Sequence, residues 1–373
     1  MNAMAMGHEL ELTAFALALL WLMVGGIIAW LMRLPLVLGY LVAGIVAQTL
    51  LRPTPSLLLM GNLGIMLMLF FLGMGFDWRL LSSPHRWGVM LANIALNFLV
   101  PLLLLWLMGC PFAIAFFAAM AVYPTSSAVT LATLTQLRRL AYPETETIVW
   151  LAVSEDLTML LLLALASVWA GSRQGVDLPI AGFGFVVAML IASVALTKPL
   201  ERLFRLLPSE LDNLVTFAAI VAISALARTL QVSEALGAFL AGMLFSGTKD
   251  RYELERRLHL LRELGTALFF FVFGLQMPLS LTKGLLWGLG LVAIGIVGKV
   301  LTAWSAGRMD NLRPSARRRL LFSLWARGEL SALALLVGDK VLPTVWKEAL
   351  SWFIAISIVS GILALAFADR RRT

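Results

Sequence analysis

The sequence predicts an all-α polytopic membrane protein. Hydrophobic residues make up 61% of the 373 residues, charged residues make up 13%, and the mean hydropathy is +0.92, which is not the balance of an ordinary soluble domain. Apolar runs near the ~20 residues needed to cross the hydrocarbon core recur along the whole chain. These runs are continuously apolar and do not alternate at every second residue, so they predict helices and not barrel strands.

About thirteen such runs can be counted, separated by short turns that hold Pro, Gly or charged residues. They cover approximately residues 10–32, 35–51, 56–76, 87–108, 111–136, 145–170, 178–198, 211–230, 233–247, 260–277, 284–306, 318–338 and 344–368. The first run has Glu9 and no Lys or Arg before it, and no small-residue cleavage site follows, so we interpret it as a retained span and not as a signal peptide. No run is left over for a soluble domain.

The basic residues predict an orientation in the membrane. The formal net charge is +8, yet the Lys and Arg residues are spread over loops and form no single patch, so no nucleic-acid partner is expected. With the N-terminus outside, most of the Lys and Arg residues lie in inner loops. The basic residues in outer loops or ends are Arg52, Arg173, Arg228, Lys283, Lys340 and Lys347. The positive-inside rule then predicts a cell inner membrane protein with an outside N-terminus and a cytoplasmic C-terminus.

The chain offers little for metal or enzyme chemistry. Cys110 is the only cysteine, so an internal disulfide and a cysteine-based metal site are excluded. His8, His85 and His259 lie at or near predicted helix ends, and a metal cluster is not expected. The sequence shows no His-Glu metal motif, no Ser nucleophile with a base, and no Asp pair on separate helices. We therefore expect no cofactor and no enzyme.

An internal duplication is visible in the sequence. Leu38–Gly44 recurs as Leu236–Gly242, with a shared Leu-Gly-x-x-x-Ala-Gly pattern at an offset of 198. Four further residues match at an offset of 201: Leu63 with Leu264, Gly64 with Gly265, Phe70 with Phe271 and Gly73 with Gly274. An odd number of crossings separates the copies, so they run in opposite directions. This predicts an inverted-topology repeat over about 35–170 and about 233–368, as in many secondary transporters.

Each repeat contains one interruption of an apolar run. In the first, Pro124 removes a hydrogen-bond donor and its ring clashes with the preceding turn. In the second, Gly328 lies between two charged residues. Their segments are Tyr123-Pro124-Thr125-Ser126-Ser127 and Trp325-Ala326-Arg327-Gly328-Glu329. At an offset of 201 the two breaks coincide, so we expect them to cross near each other. The structural alternative for the Ser and Thr residues is back-bonding to the preceding turn or packing between helices. The alternative for Arg327 and Glu329 is pairing with helix ends or with each other.

Two adjacent acids, Glu155 and Asp156, lie in the middle of an apolar stretch from about Thr147 to Ala170. Each charged carboxylate at bilayer depth costs ~2.5 to 3.5 kcal/mol, so such residues indicate an ion or proton path. Lys299 lies at a depth from which its side chain can reach them. An ammonium group that pairs with one acid leaves the other to exchange a proton for a hard monovalent cation. A static ion-pair cluster is the alternative.

Taken in order, these segments resemble the monovalent cation:proton antiporter superfamily, in its second branch with a sodium/hydrogen exchanger-type membrane domain. The motifs are Arg33–Gly44, Pro124–Val129, Leu236–Gly242, Arg262-Glu263-Leu264 running to Phe273-Gly274-Leu275, Gly298-Lys299 and Arg327–Leu330. The resemblance implies a sodium/proton antiporter-like fold of thirteen helices, with two broken helices that cross in a core domain. It further implies a homodimer, with dimer-type helices at about 10–76 and 211–277 and core helices at about 87–170 and 284–368.

The resemblance also implies the site. The family's ion-binding Asp corresponds to Asp156 and the preceding acid to Glu155. In charged-pair members a core Lys, which corresponds to Lys299, pairs with that preceding acid. Pro124, Thr125, Ser126 and Ser127 are then the ion shell of the first broken helix, and Arg327, Gly328 and Glu329 belong to the second. The expected motion is an elevator-like shift of the core domain.

The implied function is antiport of protons and a monovalent cation that compete at Asp156. Na⁺ or Li⁺ is favoured and K⁺ is a further candidate, with about two protons exchanged per cation by analogy with charged-pair members. A K⁺/H⁺ antiporter, a channel-like efflux protein of the same fold and an organic anion transporter are the alternatives. Potassium efflux members usually continue into a nucleotide-binding domain. This sequence ends at Arg370-Arg371-Arg372-Thr373, so no soluble regulatory domain is expected.

Overall fold

A computed structural model describes residues 2–32, 34–75, 84–126, 130, 134, 139, 141–171, 177–206, 208–230, 232–247, 251–280 and 283–367. Its α-helices are α1 (Asn2–Leu31), α2 (Leu36–Ala47), α3 (Pro55–Met74), α4 (Pro84–Ile94), α5 (Val100–Leu107), α6 (Phe112–Val122), α7 (Pro143–Gly171), α8 (Asp177–Ala195), α9 (Thr197–Leu206), α10 (Ser209–Thr229), α11 (Glu234–Ser246), α12 (Arg251–Gln276), α13 (Lys283–Met309), α14 (Pro314–Ser323), α15 (Glu329–Val337) and α16 (Thr344–Phe367). The described residues contain no strand, and the all-α prediction is confirmed.

Several helices have the length and composition of membrane spans. Seven described segments qualify: Glu11–Leu31, Pro55–Met74, Trp87–Leu107, Pro143–Ala166, Leu211–Thr229, Glu253–Gln276 and Lys283–Met309. The shorter apolar helices include α2, α6 and α11. The prediction of a multi-pass membrane protein is therefore confirmed at the level of the fold.

Three of the predicted apolar runs differ from single α-helices. The run 87–108 contains a π-helical turn, Ala95–Leu99, between α4 and α5. Pro101 follows this turn and lacks the amide hydrogen that a regular helix would need there. The other two, 111–136 and 318–338, are the broken helices described below. The short helix α9 was not predicted, because its basic and apolar residues alternate instead of forming an apolar run.

The chain divides into two compact units. The first comprises Met1–Asp77 and Leu163–Gln276, and the second comprises Trp78–Leu162 and Met277–Thr373. Helix α7 begins in the second unit and ends in the first. The assignment of a dimer role to one set of helices and a transport role to the other stays a prediction.

Helices of the first unit approach closely at glycines. A Cβ atom on Gly44 would overlap the carbonyl oxygen of Phe271, and a Cβ atom on Gly242 would overlap that of Phe70. A second pair has the same form: Gly73 with the carbonyl of Phe239, and Gly274 with that of Leu41. Within each pair, the two residues of one contact correspond to the two residues of the other contact, at the sequence offsets of 198 and 201 given above. Such paired contacts are what a duplicated helix arrangement produces, and small residues permit the close approach.

The second unit has a core that positions its polar residues. Buried side chains of α4, α7, α13 and α14 pack together, among them Val89, Leu151, Ala306 and Leu320. This packing holds α7, which carries the two acids, beside α13, which carries Lys299.

Candidate functional site

The two interrupted helices of the second unit cross at their breaks. Helix α6 ends at Val122 and α14 ends at Ser323, and non-helical backbone follows each. The Ser126 amide donates a hydrogen bond to the Ala326 carbonyl oxygen at 2.8 Å, and the Thr125 hydroxyl donates to the Leu324 carbonyl oxygen at 3.1 Å. The predicted crossing of the two breaks is therefore confirmed.

Hydroxyl groups near the crossing bond to the backbone of the partner segment. Thr130 Oγ1 donates to the Ser323 carbonyl oxygen at 2.9 Å, and Ser331 Oγ donates to the Ala121 carbonyl oxygen at 2.7 Å. These carbonyls lie at the ends of broken helices, where regular helical partners are missing. The hydroxyls of Thr125, Thr130 and Ser331 thus bond between the segments and not to their own helices. Of the two structural alternatives that the sequence left open, contact between helices is present for these three residues and back-bonding is not.

The crossing leaves little room. A Cβ atom on Gly328 would overlap the Ser126 hydroxyl oxygen, so a larger residue there would push the two breaks apart. Ser126 Oγ also donates to Glu329 Oε2 at 2.8 Å, at the first residue of α15. Pro124 is buried in the first break. Ser127, which the sequence also assigned to this shell, lies outside the described residues.

Glu155 is the centre of a buried hydrogen-bond cluster. Its Oε1 atom accepts from Lys299 Nζ at 2.5 Å and from Asn93 Nδ2 at 2.8 Å, while its Oε2 atom accepts from the Thr125 amide at 2.5 Å. Lys299 Nζ also donates to the Tyr123 carbonyl oxygen at 2.9 Å. Glu155 and Lys299 are 0% and 1% exposed, so the pair is fully enclosed by protein. The ion pair ties α7 and α13 to the first break.

Asp156 has a different environment from its neighbour. It is 6% exposed, and its Oδ1 atom is buried with no hydrogen-bond partner among the described residues. Adjacent positions on a helix point about 100° apart, which turns Asp156 away from the cluster around Glu155. Glu329 and Glu155 both act on it electrostatically. A buried carboxylate oxygen without a donor is costly, and a proton or a cation would satisfy it.

Arg327 lies in the second break and caps the end of α14. Its Nη1 atom donates to the carbonyl oxygens of Leu324 and Trp325, both at 3.0 Å, and its guanidinium lies over the Phe353 ring at 5.7 Å. Cations are favourable at helix C-termini because the free carbonyls carry partial negative charge. The helix-end pairing that the sequence left open for Arg327 is present.

Three polar residues of this region were missed from the sequence: Asn93, Asn97 and Thr302. All three are buried and hydrogen-bonded to one another. A signal was available for the two asparagines, because they lie four residues apart inside an apolar run, where they share one helix face. Thr302 lies three residues after Lys299 on α13 and carries no comparable signal.

Comparisons with known proteins identify the family and several similar proteins. The family described as "Sodium/hydrogen exchanger, transmembrane" matches residues 15–368. The chain is 32% identical to the ammonium/H⁺ antiporter subunit AmhT of Alkalihalophilus pseudofirmus, covering 96% of this chain and 93% of that protein. It is 30% identical to the K⁺/H⁺ antiporter subunit KhtU of Bacillus subtilis, covering 81% and 78%. It is also 26% identical to the high-affinity Na⁺/H⁺ antiporter NhaS3 of Synechocystis, covering 74% and 60%.

A solved structure has the same fold. The sodium proton antiporter MjNhaP1 from Methanocaldococcus jannaschii matches with a TM-score of 0.71 over 95% of this chain and 99% of that chain, at 13% identity. The antiporter-like fold predicted from the sequence is confirmed. Because the family match extends over nearly the whole chain, this chain belongs to the sodium/hydrogen exchanger family.

Proposed function

We propose that this protein is a secondary active antiporter that exchanges protons for a monovalent cation. The observation that carries the proposal is the buried, unpartnered Oδ1 atom of Asp156 beside two crossing broken helices. Secondary transporters place their ion sites at such breaks, where carbonyls and helix ends face the ion. The similar proteins named for K⁺/H⁺, ammonium/H⁺ and Na⁺/H⁺ antiport support exchange with protons.

The cation and the proton would compete for Asp156. A hard monovalent cation prefers oxygen ligands. Besides Asp156, the Ser126 hydroxyl and the Glu329 carboxylate are oxygen donors from the crossing, and they lie within 2.8 Å of each other. The predicted roles of Thr125 and Ser127 in the ion shell are part of the same proposal. Binding of a proton at Asp156 would neutralise the carboxylate and release the cation.

The ion pair between Glu155 and Lys299 would support this exchange without holding the cation. Both charged groups are already occupied, because Glu155 accepts three hydrogen bonds and Lys299 donates two. In the electrogenic scheme, with about two protons per cation, the second proton would come from this pair. An elevator-like movement of the second unit would then alternate access to Asp156.

The identity of the cation is the open part of the proposal. The sequence favoured Na⁺ or Li⁺, but the two similar proteins at or above 30% identity are named for K⁺ and ammonium. All four cations therefore belong in the test. An organic anion transporter has less support, since Lys299 and Arg327 donate to protein acceptors at short distance.

We further propose the cell inner membrane as the location, with the N-terminus outside and the C-terminus in the cytoplasm. The distribution of basic residues supports this orientation. A homodimer formed through helices of the first unit completes the proposal, and cross-linking in native membranes would test it.

The deciding experiment uses everted vesicles that contain the protein and have an acid interior. A pH-sensitive dye inside the vesicles reports proton release after separate additions of Na⁺, Li⁺, K⁺, ammonium and choline. Vesicles without the protein give the background, which matters for ammonium because ammonia crosses lipid. Cation-specific alkalinisation above that background supports antiport and ranks the cations. No response to any cation between about pH 6 and 9 would sink the proposal and favour the channel or the anion transporter.

A further inference from the structure

Three uncharged side chains form a buried polar chain next to the ion pair: Asn93, Asn97 and Thr302. Asn93 and Thr302 are 0% exposed and Asn97 is 1% exposed. Asn97 Nδ2 donates to Asn93 Oδ1 at 2.8 Å and to Thr302 Oγ1 at 2.8 Å. Thr302 Oγ1 in turn donates to Asn93 Oδ1 at 3.2 Å. Buried polar groups are costly, and Asn97 Oδ1 has no hydrogen-bond partner among the described residues, so a buried chain of this kind calls for a role.

The hydrogen bonds of this buried polar chain fix the direction in which the Asn93 amide faces. An asparagine side chain has one end that accepts hydrogen bonds and one end that donates them. The accepting end, Oδ1, is held by Asn97 and Thr302, so the donating end, Nδ2, must face the opposite direction. There it donates to Glu155 Oε1 at 2.8 Å. A reversed amide would place Oδ1 against the Glu155 carboxylate and lose the bond to it.

The backbone around this chain is adapted to it. Asn97 belongs to the π-helical turn Ala95–Leu99, and turns of this kind are often found at functional sites. A Cβ atom on Gly298 would come within 2.5 Å of Asn97 Oδ1. Glycine at position 298 therefore lets the Asn97 amide lie directly against α13, one residue before Lys299.

Asn93 and Lys299 donate to the same oxygen of Glu155. Together they hold the carboxylate towards α13, while Asp156 points elsewhere on α7. Other charged groups influence this pair electrostatically. Arg327 in the second break interacts with both Lys299 and Glu155. Asp156 interacts with Glu155 from the same helix and also with Glu329. Each hydrogen bond to an ionised group stabilises the charged form.

We infer that Asn93 is a positioning residue that holds the Glu155 carboxylate against Lys299, so that the ammonium group stays paired while Asp156 exchanges its proton for the cation. Asn97 and Thr302 hold the Asn93 amide in the orientation that this contact needs. The inference rests on the proposed function. Without Asn93, one of the two side-chain bonds that hold Glu155 Oε1 in place is lost, and an ammonium group of Lys299 that is no longer firmly paired would repel a cation at Asp156.

The test measures cation-driven proton release for Asn93→Ala and Thr302→Val, per folded transporter. Asn93→Ala is expected to raise the apparent KM for the cation about tenfold, with the maximal rate within about twofold of wild type. Thr302→Val should raise KM by a smaller factor. Thr302→Ser keeps the hydroxyl and should restore the wild-type values.

Ser305→Ala is the matched control on the same helix, because the Ser305 hydroxyl donates only to its own helix, at Thr302 O. It should leave both KM and the maximal rate unchanged. A wild-type KM in both Asn93→Ala and Thr302→Val would overturn the inference. So would a loss confined to the amount or thermal stability of folded protein, since that marks a structural role. An absence of exchange in the wild type is a separate result, which rejects the proposed function itself.

Discussion

Lys299 Nζ lies 2.5 Å from Glu155 Oε1, whereas the next residue along the same helix, Asp156, has an Oδ1 atom without any hydrogen-bond partner in the described part of the chain. Two acids that are adjacent in sequence thus lie in different environments: Glu155 is paired with a cation, and one carboxylate oxygen of Asp156 has no hydrogen-bond donor. A buried ion pair with further hydrogen bonds is held in place, whereas a buried carboxylate oxygen without a donor is poised to take up a proton or a cation. Under the proposed function, Glu155 would hold the site together and Asp156 would exchange the proton for the cation.

The first prediction concerns Asp156. Asp156→Asn keeps the size of the side chain but removes the charge that both ions compete for, so we expect exchange to fall at least ~100-fold with normal folding. Asp156→Glu should retain part of the activity. The measurement is dye-reported exchange in vesicles at matched protein amounts. The control is Asp339→Asn, a substitution at an acid that is 64% exposed and pairs with Lys347. Full activity in Asp156→Asn would reject the assignment of the ion to this residue.

The second prediction separates charge pairing from transport. Lys299→Ala leaves Glu155 buried without its cation, and breaking one side of a buried ion pair costs about 3–5 kcal/mol. We expect a lower thermal stability in detergent and impaired or uncoupled exchange. The double variant Lys299→Met with Glu155→Leu removes both charges, so it should recover most of the stability but not the exchange.

The stability and the exchange activity of these two variants together distinguish a structural role of the ion pair from a role in transport. Equal stability of the single and double variants would show that the Glu155 charge is not the source of the loss. Wild-type exchange in the double variant would show that the ion pair has no part in transport. Protein amount and melting temperature are measured on the same samples, so the two effects can be read separately.

Sequence reasoning recovered the acids, the lysine and both helix breaks, because charge and proline are rare inside apolar runs and therefore stand out. It did not recover the chain of Asn93, Asn97 and Thr302. These residues are uncharged, and their role depends on which helices become neighbours in the fold. The local sequence around each residue does not predict that. The π turn was missed because the run 87–108 was interpreted as one continuous helix, although Asn93, Asn97 and Pro101 interrupt its apolar residues. The choice of Glu155 over Asp156 as the partner of Lys299 came from resemblance and is now supported by the observed distances.

The third prediction concerns the crossing of the broken helices. Gly328→Ala places a Cβ atom onto the Ser126 side chain, so we expect a loss of about 1–3 kcal/mol of stability and reduced exchange. Gly290→Ala is the matched control in the same unit, because a Cβ atom there meets nothing within 4 Å. Combining Gly328→Ala with Ser126→Gly relieves the overlap and should restore stability. Unchanged stability of Gly328→Ala would mean that the two breaks can separate freely.

The last prediction uses the repeat-related contacts of the first unit. Gly44 and Gly242 each face a phenylalanine carbonyl, of Phe271 and Phe70, so Gly44→Ala and Gly242→Ala should destabilise the protein by similar amounts, about 1–3 kcal/mol each. Gly184→Ala is the control, since nothing lies within 4 Å of its Cβ position. Melting temperatures in detergent give the comparison. Similar losses are expected because a Cβ atom at either glycine would overlap the facing carbonyl oxygen to a similar extent. A large loss at one glycine with none at the other would show that the two copies have diverged in packing, despite their matching sequences.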